Sequence, residues 1–290
     1  MRDQAETLRM KILESQGALG RSIAVVSGKG GVGKSNFITN FAINLANRGK
    51  KVVIVDMDIG MANIHILIGQ PAQYNLKDYL EGKVTFTDIL YSGPYNIHYI
   101  SGGSALASVV EWSNEMFEAL IAGFEMLQKN FDFILFDMGA GASNWSLDLL
   151  KSIDEIIVIS TSEPTSITDA YSMMKYIHLK DRDKRFYLLC NRVYTNEEGQ
   201  ETLIRLKNTM RKFLSKDVYI LGALPEDQAV RKAVIEQVPF TISYPKANVS
   251  KSLIEIVSRF VDQQINEEYA PVPSNTFLSK LRRIFSKGRD

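Results

Sequence analysis

The chain has 290 residues, 45% hydrophobic and 23% charged, with 34 Lys and Arg against 33 Asp and Glu and one cysteine. Such a balance excludes a disordered or collagen-like chain, and a lone Cys190 excludes an internal disulfide and a Cys-x-x-Cys metal site. The N-terminus lacks the apolar stretch of a secretory signal, and no apolar run nears the roughly 18 residues of a spanning helix, so a cytoplasmic location is expected.

In chain order, residues 1–16 read as a short amphipathic helix closed by Gly17 and Gly20. Short runs dense in Val, Ile, Leu and Phe then recur at 23–27, 52–56, 97–101, 133–137, 156–160, 186–191 and 218–221. Nearly continuous apolar runs of this length fit strands of a parallel sheet covered on both faces. Helical patterns at 36–47, 114–129, 166–179 and 200–214 fill the intervals. The alternation predicts a doubly wound, mostly parallel α/β domain over residues 20–265, with ligands at the carboxyl ends of the strands. The helix over 166–179 is a candidate partner surface.

A proline-bearing linker at 266–274 leads to a last helical pattern at 275–290. Phe277, Leu278, Leu281, Ile284 and Phe285 share one face there, and Lys280, Arg282, Arg283 and Lys287 take the rest. That pattern predicts a helix lying in a membrane interface, with docking on the body as the alternative. Without the tail the chain holds 29 basic and 32 acidic residues, a balance that argues against nucleic-acid binding by the body as a whole.

The sharpest motif is Gly28-Lys29-Gly30-Gly31-Val32-Gly33-Lys34-Ser35, set between the first strand and the helix that Asn36 continues. It satisfies G-x-x-x-x-G-K-[ST] in the strand–loop–helix setting the motif requires. Its backbone N–H groups suit phosphate oxygens, Lys34 the β- and γ-phosphates, and Ser35 a Mg²⁺ ion. Lys29 is a second lysine that the phosphates of its own subunit do not need. Reaching a facing subunit's nucleotide is a role it can fill, as an arginine finger does.

The stretch from Lys29 to Ser35 resembles the deviant Walker A loop of the MinD/ParA family of dimerising ATPases. The resemblance spans nearly the whole α/β domain and implies ATP and Mg²⁺ as ligands, hydrolysis to ADP and phosphate, and a homodimer in the ATP state. Val55-Asp56-Met57-Asp58 resembles the family's switch I, which makes Asp58 the residue that positions the attacking water and Asp56 a neighbour of Mg²⁺. Asp137, ending Phe133-Ile-Leu-Phe-Asp, matches the Walker B acid that binds a water of Mg²⁺. Asn191 and the segment holding Pro225 and Asp227 resemble the two walls of the adenine pocket. His65 stands where relatives often carry an acid.

Asp3-Gln4-Ala-Glu-Thr-Leu8-Arg9 resembles the N-terminal motif of the flagellar branch of the family, the FlhG (YlxH) proteins. In that branch this helix stimulates the signal-recognition-type GTPase FlhF. The resemblance implies control of flagellar number and placement at the inner face of the cell membrane, with FlhF, flagellar switch proteins and an anionic membrane as partners. Division-site placement of the MinD type and DNA partition of the ParA type are the rival readings. Iron–sulfur relatives do not fit, because one cysteine cannot supply cluster ligands.

Overall fold

The structure is a computed structural model that describes residues 19–58, 63–102, 113–139, 144–153, 155–262 and 276–287. The segments 1–18 and 263–275, which carry the partner motif and the linker, lie outside the described residues, as do the side chains of Ile284 and Phe285.

The chain runs β1 (Arg21–Val26), α1 (Lys34–Ala46), β2 (Val52–Met57), α2 (Ile64–Ile68), α3 (Leu76–Leu80), β3 (Tyr91–Ser92), β4 (His98–Ile100), α4 (Asn114–Asn130), β5 (Phe133–Met138), α5 (Asn144–Ser152), β6 (Glu155–Ser160), α6 (Pro164–Lys180), β7 (Arg185–Val193), α7 (Asn196–Leu214), β8 (Tyr219–Pro225), α8 (Gln228–Glu236), α9 (Phe240–Ser243), α10 (Asn248–Asp262) and α11 (Thr276–Lys287). The strands form one sheet in the order β3-β4-β2-β5-β1-β6-β7-β8. All pairings are parallel except β3 with β4. The seven runs read from the sequence are all strands. β3 escapes that reading, since two residues cannot display a period.

Successive strand residues point to opposite faces, and the sheet sorts them into two cores. Ala24, Val53, Val55 and Phe136 meet the layer of α4, α5, α6, α7 and α11, while Ile23, Val25, Ile54 and Leu135 meet the layer containing α1 and α10. The connection out of β1 runs toward β2 while the one out of β5 crosses back over β1 to β6, and such a switch point opens a crevice at the carboxyl ends of β1 and β5. The loop at 28–33 occupies that crevice.

The C-terminal helix is docked. Phe277, Leu278 and Leu281 are buried, and α11 packs mainly on α5 with a lesser contact to α4. The Phe277 ring lies 5.7 Å from both Phe124 and Phe136. Lys280 donates to Asp181 at 2.9 Å, and Arg282 pairs with Glu125. Of the five residues expected to face lipid, the three with described side chains therefore face the protein. Each buried side chain of this size contributes about 1.5–3 kcal/mol. An apolar stripe specifies that something covers it; here the body does.

Candidate functional site

Gly33 is the N-cap of α1 at φ 96°, with no side chain capping the helix. An L-residue there would be strained, and a Cβ would lie 2.5 Å from Asn191 Nδ2. The first N–H groups of α1 are thus left to an incoming anion, at the positive end of the helix dipole. Lys34 is buried, its Nζ donating 2.9 Å to Ser27 Oγ, while Ser27 Oγ itself donates to the Lys29 carbonyl at 2.6 Å. Burial lowers the Lys34 pKa, opposed by the carboxylates of Asp137 and Asp58. A cation held in so dry a place is poised for phosphate charge.

Three acids line the same end of the sheet. Asp56 and Asp137 are register partners on β2 and β5, and both are buried. Asp56 Oδ1 accepts from the Asp58 N–H at 3.0 Å, and Oδ2 from Asn63 and Ile64 at 2.9 and 3.2 Å. Asp56 therefore organises the start of the segment leading into α2. Asp137 differs: neither of its carboxylate oxygens completes a hydrogen bond of normal geometry, although the Ser35 hydroxyl stands near enough to pull its pKa down somewhat. A buried carboxylate left unsatisfied beside a hydroxyl is a site shaped for a cation. The donor set of Ser35, Asp56 and Asp137 fits Mg²⁺, which takes one or two carboxylates together with phosphate and water oxygens.

Burial raises Asp56 to about 6, and burial reinforced by the Asp56 charge raises Asp137 to about 7. With folded values above the ordinary carboxylate value, ionisation is what the fold penalises. The metal-free protein loses stability as pH rises through this range, and a bound cation restores it. Binding of Mg²⁺·ADP should accordingly release protons near pH 7 and tighten as pH rises through that value. Calorimetry in two buffers of different ionisation enthalpy checks this; identical heats would mean the pair is already ionised.

Asp58 completes the set. A Cβ on Gly139 would lie 2.9 Å from Asp58 Oδ1, so the carboxylate rests on the glycine just after β5. Only a glycine allows the switch I acid to approach this strand end so closely.

The sequence reading places Asn191 against adenine. Its Nδ2 donates to the Val32 carbonyl at 2.7 Å, so the amide braces the phosphate loop. On the opposite wall, Pro225 ends β8, the Glu226 N–H donates to Val193 at 2.9 Å, and Asp227 caps α8 through Ala229 at 2.9 Å. Arg192, at φ 61°, reaches across to Glu226 at 2.8 Å and ties the walls together. Lys29 extends away from the loop onto Glu163, just before α6, at 2.8 Å. Ser27, Gly139, Glu163 and the Arg192–Glu226 tie are absent from the motif reading. Each nonetheless adjoins a segment that the sequence singles out: Ser27 the loop, Gly139 the strand end at Asp137, Glu163 a helix-opening proline, and Arg192 and Glu226 the two segments matched to the adenine walls. Cys190 is buried with its pKa pushed up to about 12, so it is a packed thiol.

A family model described as "ParA: NUBPL iron-transfer P-loop NTPase" matches residues 18–261. The chain is similar to "Antiactivator FleN" of Pseudomonas aeruginosa, 32% identical over 87% of this chain and 88% of that protein. It is similar also to "Flagellum site-determining protein YlxH" of Helicobacter pylori, 31% identical over 90% and 88% of the two chains. Among solved structures it resembles septum site-determining protein MinD complexed with Mg-ADP from Pyrococcus horikoshii OT3. That likeness has a TM-score of 0.70 and 26% identity, covering 87% of this chain and all of the other.

Proposed function

Because the chain belongs to the ParA family of P-loop ATPases, we propose that it is a flagellar member of that family, an ATP-driven dimerising switch that sets flagellar number and placement from the inner face of the membrane. The loop of Gly30, Gly31, Val32, Gly33, Lys34, Ser35 and Asn36 holds the triphosphate. Asp58 accepts a hydrogen bond from a water and aims its oxygen at the γ-phosphorus. The new O–P bond forms as the bridging P–O bond breaks, ADP departs with the electron pair, and the water proton ends on phosphate or solvent. Mg²⁺ bound with the nucleotide supplies positive charge beside Ser35, Asp56 and Asp137. Lys29 leaves Glu163 to meet the nucleotide of a second copy. The catalytic effect is one of position and charge.

The observation that carries the switch is the seat of α11. The apolar residues suited to lipid are buried against α5, and α5 begins five residues beyond Gly139, the glycine that carries Asp58. A change of nucleotide state at Asp58 and Asp137 thus acts on the helix that holds the tail. Among the described residues no helix is long and apolar enough to cross a membrane. Attachment through α11 is therefore interfacial and reversible.

The flagellar assignment is supported by the named relatives and by residues 3–9, through which the chain would stimulate FlhF, with flagellar switch proteins as further partners. Deleting residues 1–16 should abolish stimulation of FlhF GTP hydrolysis while the chain's own ATPase rate is kept, measured by phosphate release. Undiminished stimulation would remove residues 1–16 from that role, and a full chain that gives no stimulation would favour the MinD-type reading.

A further inference from the structure

The ends of α6 and α7 farthest from the phosphate loop carry a surface that nucleotide chemistry does not use. α6 and α7 both follow strands of the same parallel sheet, so their C-termini emerge at one edge. The edges touch: Lys216 Nζ donates to the Arg182 carbonyl at 2.7 Å. Leu179 and Phe213 each stand two residues before the C-cap of their helix, and they are 62% and 64% exposed. Tyr176, one turn before Leu179, is 40% exposed. Lys180 lies 5.9 Å from the Tyr176 ring and Lys212 lies 5.4 Å from the Phe213 ring.

Charge follows the same edge. Residues 175–185 and 205–217 together hold 10 basic and 3 acidic residues, in a chain whose net charge is +1. Basic residues near helix C-termini offset the dipole and need no ligand for that. Exposed Leu and Phe between them have no such account. Aromatic and aliphatic side chains interleaved with Lys and Arg suit the boundary of an anionic bilayer, where the rings enter the headgroup layer and the cations meet phosphate. α11 reaches the same edge through Lys280 and Asp181.

We propose that Leu179, Phe213 and Tyr176, with Lys180, Arg182 and Lys212, form a second membrane-contacting surface on the body, directed at anionic lipid. The inference rests on the membrane reading above, and it adds a contact that does not wait for α11 to leave its seat. The ADP-bound protein then touches an anionic bilayer weakly, with the tail already held next to the lipid it enters later. Two contacts on one body raise the local concentration of lipid for the second to bind.

The test uses the full chain with ADP and with a non-hydrolysable ATP analogue. The vesicles are phosphatidylcholine with or without phosphatidylglycerol, and their acyl chains carry bromine. Phe213→Trp should gain quenching beyond that of the parent's own tryptophans in both nucleotide states, only when phosphatidylglycerol is present. The double substitution Leu179→Ser with Phe213→Ser should weaken co-sedimentation in ADP by about tenfold or more. Circular dichroism checks that this variant folds, and the tryptophan signal stands independently of it. If the parent binds vesicles but Phe213→Trp gains no quenching, the body surface is refuted while attachment through α11 survives. If the parent binds no vesicle in either state, both readings fall together. A DNA mobility shift that Arg182→Glu with Lys212→Glu abolishes, without vesicle binding, would assign the surface to nucleic acid instead.

Discussion

Asp58→Ala should slow ATP hydrolysis by about 10²- to 10⁴-fold, the range associated with loss of one positioned proton-accepting group. ATP affinity should hold, because the loop, Lys34 and Ser35 bind phosphate without this side chain. The carboxylate rests on Gly139, and its own backbone N–H is tied to Asp56. Removing it leaves the switch I backbone anchored while the water loses its guide. The bound triphosphate then persists, and a dimer built on it accumulates. Light scattering of the ATP-loaded variant should give twice the monomer mass, where wild type returns to monomer as ATP is consumed. A variant that hydrolyses at the wild-type rate, or one that stays monomeric with ATP bound, would sink this assignment of Asp58.

How much of this was legible in the sequence follows from how local each feature is. The phosphate loop was legible because its chemistry is contiguous: glycines, Lys34 and Ser35 lie in one octet with a strand before it and a helix after. Asp56, Asp58 and Asp137 were legible at strand ends as acids, but not the difference between them. Asp56 accepts three backbone N–H groups, whereas Asp137 is unsatisfied, and that contrast depends on the neighbours the β2–β5 pairing brings. The Asn191 bond to Val32 joins residues 159 apart, and no spacing rule reaches so far.

The tail and the body charge show two other kinds of loss. A helical period reports that Phe277, Leu278 and Leu281 need cover, and it is silent on whether protein or lipid supplies it. Net charge averages over the surface. A body with 29 basic and 32 acidic residues reads as mildly acidic, yet it gathers basic side chains at the ends of α6 and α7. Those two segments are separate in sequence and are brought together by the packing of parallel strands.

Reversing both charges opposite the tail, Glu125→Lys with Asp181→Lys, should release α11 without altering any residue of the helix. The Lys280–Asp181 and Arg282–Glu125 pairs are partly buried, with side-chain exposures of 21% and 18% in the first and 41% and 19% in the second. Exposed pairs contribute about 0–1 kcal/mol, and breaking buried ones costs about 3–5 kcal/mol. At intermediate burial about 1–2 kcal/mol each is reasonable, and facing lysines add repulsion. Together they shift the docking equilibrium by about 10²-fold. The buried stripe of Phe277, Leu278 and Leu281 opposes release in water, but a bilayer offers that stripe an equivalent apolar seat. Lipid and groove then compete for one face, and the ion pairs decide between them. In ADP, the double variant should co-sediment with phosphatidylglycerol vesicles as well as wild type does with a non-hydrolysable ATP analogue. Binding in ADP that stays at the wild-type ADP level would mean that the acids do not hold the helix. Equal binding of wild type in both nucleotide states would mean that no gate exists for them to hold.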